Sequence, residues 1–325
     1  MKIKLITLVV SLFLFQNSFA QYTDVINSNR PGESMSAFSV GKTVIQIETG
    51  LNYIKEKHSI LEYSANGIGL DFNVRYGLFR EQMEAILEVN YQKDSYSSYL
   101  GDKKRTGLRS TDMGLKYLFY DPFKYYEEKV NLYSWKANHK LNFRQFIPAV
   151  AGYAGFNLNF SSNQFAPIDE KLGPISPRIM LITQNQFPGA FVFVTNVFIE
   201  KISTNNQSIG YIATLTKGFN DKWSAFLENK AIKGDYYADG IFRTGAAYLY
   251  SKNLQIDASI SKNYKDTPYL LYGGFGISWR SDTNYKEVMI KSKKKDKSTD
   301  GKKGKKGKVD KKKKRLDEVQ LEKKP

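Results

Sequence analysis

The sequence predicts an all-β protein: a transmembrane antiparallel β-barrel of about twelve strands with a disordered, Lys-rich C-terminal tail. Three observations lead there. Apolar and polar residues alternate with a period of two over runs of ten to sixteen residues, longer than the five or six usual in sandwich strands. The connections between runs are by turns tight and long, the asymmetry of outer-membrane barrels, whose tight side is periplasmic. Aromatic residues are abundant, with 22 Tyr, 21 Phe and 3 Trp, and many stand at the ends of the runs.

At the N-terminus, Lys2 and Lys4 precede the apolar run Leu5 to Phe15, and Ser18-Phe19-Ala20 has the small-x-small form of a cleavage site. Residues 1–20 therefore read as a signal peptide. The chain has no Cys, which excludes a lipoprotein anchor, disulfides, thiolate metal sites and Cys nucleophiles. Past the signal, no apolar stretch approaches the ~18 residues that a membrane-crossing helix needs. Residues 21–42 then form a periplasmic or plug segment, and residues 43–280 form the barrel.

Each barrel strand is read from its alternation. In "IGLDFNVRYGLF", residues 68–79, Ile68, Leu70, Phe72, Val74, Tyr76 and Leu78 oppose Gly69, Asp71, Asn73, Arg75 and Gly77. Next, Met83, Ala85, Leu87, Val89 and Tyr91 oppose Glu84, Ile86, Glu88, Asn90 and Gln92; in the first strand Ile45, Ile47, Leu51 and Tyr53 oppose Gln46, Glu48 and Asn52. The apolar set suits lipid and the polar set a lumen. The twelve expected strands cover 43–56, 67–79, 82–97, 105–120, 148–160, 177–187, 190–203, 208–219, 222–234, 240–251, 254–264 and 268–280. Tight turns are "FREQ", "FPGA", "NDK" and "SKNL"; the longer loops include "KEKHSILEYSAN", "SSYLGDKKRT" and "SSNQFAPIDEKLGPIS". Tyr117, Phe119, Phe187, Phe219, Trp223, Tyr248, Tyr250 and Trp279 stand where aromatic girdles belong.

Residues 121–147 break the pattern, because by parity they fall on the tight side. Asp121-Pro122 is a helix start, and Phe123, Tyr126, Val130, Tyr133 and Ala137 recur every three to four residues. They read as a short amphipathic helix at the periplasmic interface, or alternatively as two further strands, giving fourteen.

The segment "TDVINSNRPGESMSAFSVGKTVIQIETGLNY" resembles the opening of an outer-membrane β-barrel family labelled for the MetA pathway of phenol degradation and grouped with the transporter that exports functional amyloid subunits. The matching positions are Thr23, Asp24, Arg30, Pro31, Gly32, Phe38, Val40, Lys42, Gln46, Glu48, Gly50 and Tyr53. The resemblance implies a twelve-stranded barrel with an N-terminal element able to plug the pore.

The chain offers little to a catalytic constellation. Its two His, His58 in the first long loop and His139 in the insert, fall at opposite ends of the barrel, so neither pairs with a Ser as an outer-membrane phospholipase requires. Two separated His without Cys leave no metal site, and "GGFGIS", 273–278, sits in a strand with no helix after it. The expectation is a non-enzyme without cofactors. What remains is a set of lumen-facing charges: Glu48, Asp71, Arg75, Glu84, Glu88, Asp112, Lys116, Glu228, Arg243, Asp257 and Arg280. They either pair across strands to fill the interior or line a narrow polar pathway. The first reading of function is a transporter-like channel; the second is a non-conducting structural or assembly protein.

The net charge of +17 is concentrated beyond residue 285, where eighteen Lys and Arg face seven Asp and Glu. With an even strand count, residues 281–325 are expected in the periplasm as a disordered arm. That compartment offers no nucleic acid; peptidoglycan, anionic headgroups or an acidic partner would attract the arm, while outer-membrane lipid surrounds the barrel.

Overall fold

Alternation over a dozen residues dictates strands, and strands in lipid must pair at both edges, since an unpaired backbone polar group there costs several kcal/mol. The computed structural model satisfies this by closure. It describes residues 25–122, 133–134, 143–159, 164–165, 174–283 and 285. Twelve strands follow in order: β1 (Ile45–His58), β2 (Tyr63–Gly77), β3 (Met83–Ser98), β4 (Gly101–Tyr120), β5 (Ala149–Leu158), β6 (Ile175–Phe187), β7 (Phe191–Glu200), β8 (Ser208–Gly218), β9 (Trp223–Gly234), β10 (Ala238–Ser251), β11 (Leu254–Asn263) and β12 (Tyr269–Ser281). Each pairs antiparallel with its neighbours, and β12 closes the barrel on β1, with Ile45 opposite Ser281 and Gly50 opposite Gly276.

We call the end with turns 78–82, 188–190, 219–222 and 252–253 proximal and the other end distal. Ile45, Leu51, Leu70, Phe72, Met113, Leu115, Leu181, Val197, Leu227, Ile256 and Ile277 point outward and are exposed, which gives the wall an apolar belt. Trp223, Phe219, Phe119, Tyr250 and Trp279 are exposed at its proximal rim, with the Trp223 and Tyr248 rings 4.8 Å apart. The expected girdle therefore lies at one end.

Two expected loops are strand instead. Residues 55–58 pair with 63–66, and 101–105 pair with 94–98, leaving turns of four and two residues at 59–62 and 99–100. These polar stretches rise beyond the apolar belt, where outward Lys55, Lys57 and Lys93 are exposed to water. Cross-strand contacts hold them: Arg105 pairs with Asp94 at 2.7 Å and Tyr63 stacks on Tyr96 at 5.1 Å. The charged composition that suggested loops reflects leaving lipid rather than leaving the sheet. A β-bulge at Arg109, between Ser110 and Leu108, shifts the β3–β4 register.

Signal residues, the tail and most of the 121–147 insert lie outside the described residues. The helix expected there is neither supported nor opposed beyond a single 3-10 turn, Phe143–Phe146, whose Phe146 ring meets Phe187 at 5.7 Å. Among the described residues no helix is long and apolar enough to cross a membrane, which does not bear on crossing by strands.

Candidate functional site: a plugged lumen

"SNRPGESMSAFSVGKT", residues 28–43, is rich in Ser, Gly and Pro, a poor helix former that has no strand to join. Inside a barrel its backbone N–H and C=O groups still require partners. The wall supplies them through side chains. The segment leaves the proximal turn where the Ile26 N–H donates to the Lys252 carbonyl at 2.8 Å, crosses the lumen, and returns where Thr43 donates to the Gly77 carbonyl at 2.9 Å.

Carboxylates accept the plug's N–H groups. Glu48 accepts from Asn29 and Arg30 at 3.3 Å, Glu228 from Glu33 at 3.0 Å and Ser34 at 3.3 Å, and Glu84 from Val40 at 2.8 Å. Cations and amides donate to its carbonyls. Arg75 reaches Asn27 at 2.7 Å and Phe38 at 3.3 Å, and Lys116 reaches Ser36 at 2.6 Å and Phe38 at 3.0 Å. Gln255 donates to the Arg30 carbonyl at 3.1 Å. Asn196 does both for Met35, accepting its N–H at 2.6 Å and donating to its carbonyl at 3.0 Å, while Gln184 accepts from Ala37 at 3.0 Å. The wall charges also neutralise one another: Arg75 grips both oxygens of Glu84 at 3.0 and 3.1 Å, and Lys116 lies 2.7 Å from the same carboxylate. With Ser28 on Ser278, ten of the twelve strands hold the plug by side chains.

The resembling N-terminal motif becomes one constellation. Arg30 donates to both oxygens of Asp257 at 3.1 and 3.3 Å and stands 3.6 Å from Asp71. Its guanidinium lies flat on the wall over Gly50 and Gly276, where a methyl group on either glycine would overlap it. Gly32 plays the matching part on the plug side, since a Cβ there would stand 2.6 Å from Glu228 Oε2. Pro31 lines a cavity of about 370 Å³ on the proximal side of the plug, bounded by Gln186, Val192, Thr216 and Ser224 of the wall. Thr23 and Asp24 lie outside the described residues.

The other anchor is apolar, and alternation did not announce it. Met35, Ala37 and Phe38 pack against inward-facing Ile86, Leu118, Tyr153, Met180, Ile182, Phe198 and Ile212. Burying a side chain such as Met35 or Phe38 contributes about 1.5–3 kcal/mol. The lumen is therefore not polar throughout: inward apolar residues of β5–β8, joined by Ile86 of β3 and Leu118 of β4, form an apolar patch beneath the plug.

Of the eleven charges expected in the lumen, eight meet the plug or its immediate partners: Glu48, Asp71, Arg75, Glu84, Lys116, Glu228, Arg243 and Asp257. Glu88 and Asp112 gather instead, on the distal side, around Arg178, at 3.2 and 3.6 Å. Arg280 binds Asn253 at 2.9 Å at the proximal mouth. Sequence reading passed over Glu33, Arg178, Gln184, Asn196, Lys230 and Gln255, although strand parity put the wall residues among them on the lumen side. Burial pushes the Glu33 carboxyl upward, but Arg243 and Lys230 outweigh it and hold it below the usual carboxylate range. His58 ends β1, its Nδ1 accepting from Leu61 at 3.1 Å, and His139 lies outside the described residues. Among the described residues no cluster of His, Asp or Glu could hold a metal.

A closed barrel with an apolar belt and a plugged interior is an integral membrane β-barrel of the outer-membrane class. The chain belongs to the family described as "Putative MetA-pathway of phenol degradation", which matches residues 28–281, plug and barrel together. No curated protein sequence matches it. Similar solved structures include an outer membrane channel from Pseudomonas putida F1, at 9% identity and a TM-score of 0.49, over 79% of this chain and 100% of that one. The translocator domain of the autotransporter NalP from Neisseria meningitidis gives 12% and 0.42, over 74% and 89%. The KdgM porin gives 11% and 0.41, over 71% and 98%.

Proposed function

We propose that the protein is an outer-membrane conduit for small polar solutes, closed at rest by its own N-terminal segment. One observation carries the reading: side chains from eight strands hold the backbone of the plug, which itself belongs to no strand. Twelve strands lie between the eight of a filled barrel and the sixteen of an open porin. Without the plug, a lumen walled on one side by Glu48, Arg75, Glu228 and Asp257 would admit water. The charges thus serve a structural role at rest and a pathway when the plug moves. Arg178 with Glu88, Asp112 and Glu200 would line the distal approach.

In this reading the proximal end is periplasmic, which supports a periplasmic position for the Lys-rich sequence that follows β12. There it would meet peptidoglycan carboxylates or an acidic envelope partner. Planar-bilayer recordings test conduction. The whole protein should show small, infrequent openings, and a heat-modifiable barrel lacking residues 21–42 should show sustained ones. Bilayers that stay silent with both would refute conduction.

A further inference from the structure

The plug brings two charged side chains into the lumen, Arg30 and Glu33, and they are held in opposite ways. Arg30 is buried over its glycine floor, whereas the Glu33 side chain is 37% exposed. Glu33 Oε1 accepts from Arg243 Nη2 at 2.5 Å, and Oε2 accepts from Lys230 Nζ at 2.6 Å. The two cations stand on adjacent strands, Arg243 opposite Glu228 in register and Lys230 two residues nearer the distal end. Together they form a two-point receptor for a single carboxylate, and the carboxylate in it belongs to the plug rather than to the wall.

The Glu33 backbone is fixed independently of its side chain. Its N–H donates to both oxygens of Glu228, at 3.0 and 3.1 Å, and Glu228 is itself held by Thr214 Oγ1 at 2.8 Å. Arg243 also touches Glu228 through Nη1 at 3.5 Å, which leaves Nη2 for the second carboxylate. The Glu33 side chain can therefore swing away while the plug backbone stays in place. Lys230 would then lose its carboxylate and Arg243 would keep only Glu228 at 3.5 Å, which is costly for two partly buried cations unless another anion of the same shape replaces it.

We propose that Lys230 and Arg243 bind the carboxylate of a small organic acid arriving from the distal side, with Glu33 as its built-in competitor. This rests on the conduit reading and gives it a substrate class. Exchanging one carboxylate for another preserves both charge-assisted hydrogen bonds, so the exchange is nearly balanced and a modest solute concentration can drive it. A neutral solute offers no replacement and leaves Glu33 seated.

The test is calorimetric titration of the full-length protein in detergent, with butyrate as probe and butyramide as its neutral counterpart. Glu33→Ala removes the competitor, so butyrate should bind this variant at least tenfold more tightly than wild type, with one site per chain. Glu33→Gln, the more conservative change, should fall between. Adding Lys230→Met or Arg243→Met to Glu33→Ala should abolish the gain. Equal butyrate affinity in wild type and both Glu33 variants would overturn the proposal. So would butyramide binding as tightly as butyrate, or affinity that survives the loss of Arg243. Bilayer currents from the same samples separate the two ideas. Butyrate binding without current in any variant removes the conduit and leaves the site; current without tighter binding removes the site and leaves the conduit.

Discussion

Gly50→Ala adds one methyl group to a barrel strand, yet the structure places its consequence on the plug. The new Cβ would overlap the Arg30 guanidinium, the group nearest to it, so Arg30 must leave its seat. Asp257, whose side chain is fully buried, then loses its partner at 3.1 Å, and Asp71, a third exposed, loses one at 3.6 Å. Breaking a fully buried pair costs about 3–5 kcal/mol; discounting for the water that reaches Asp71 leaves about 2–3 kcal/mol. That is a factor on the order of 30 to 150 in the ratio of closed to open plug. The wall itself should not suffer, since Ala is favoured over Gly in a strand by up to about 1 kcal/mol. The chain has no Cys, so Ser39→Cys installs a single thiol on the plug. Ser39 is buried and its hydroxyl has no hydrogen-bond partner. Maleimide labelling of that thiol should speed up by the factor above in Gly50→Ala, while the folded barrel stays heat-modifiable. Arg30→Ala should have a similar effect, and Gly50→Ala added to it should do little more, because the clash is then gone. Unchanged labelling in Gly50→Ala, or additive effects of the two changes, would refute the argument.

Phe72→Arg places a charge on the lipid face at about 2–4 kcal/mol, whereas Asn73→Arg points into the lumen beside Glu48 and Glu88; refolding yield should fall sharply only for the first, and equal yields would invert the facing. Arg75→Met strips the Asn27 and Phe38 carbonyls of a donor and leaves Glu84 with only Lys116 and the Val40 N–H, so the urea midpoint should drop by an amount equivalent to about 3–5 kcal/mol. Because the folded-state pKa of Glu33 is depressed, its clamp is present above the ordinary Glu value of about 4.3 and is lost only as pH falls through the lower, folded value. The ratio of resting current between Glu33→Gln and wild type should therefore hold from pH 7 to pH 4; a ratio that collapses to one by pH 4.5 would contradict this. A peptide of residues 286–325 should capture peptidoglycan at low salt and release it at 1 M, since each Lys near an anionic surface contributes about 1 kcal/mol within a Debye length; capture undiminished at 1 M would rule out the electrostatic account.

Strand order, facing and most of the lumen charges were legible in the sequence, because a period of two is a local property and each strand displays it alone. Phe72 outward and Arg75 inward needed no knowledge of neighbours. The tertiary structure decided what the charges do. Arg30 meets Gly276 and Asp257 more than two hundred residues away, and no local pattern records that a glycine leaves room for another segment's guanidinium. The apolar inner wall was hidden for a different reason. On β6 and β7 the lipid-facing Leu181 and Val197 neighbour the plug-facing Ile182 and Phe198. Lipid and a plug's apolar face select the same side chains, so alternation fades where both sides of a strand are dry. The extended hairpins of β1 to β4 failed as strand predictions in the opposite sense, because both of their faces are wet. In either case composition reports the solvent on each side of a strand, and only closure of the barrel says which solvent that is.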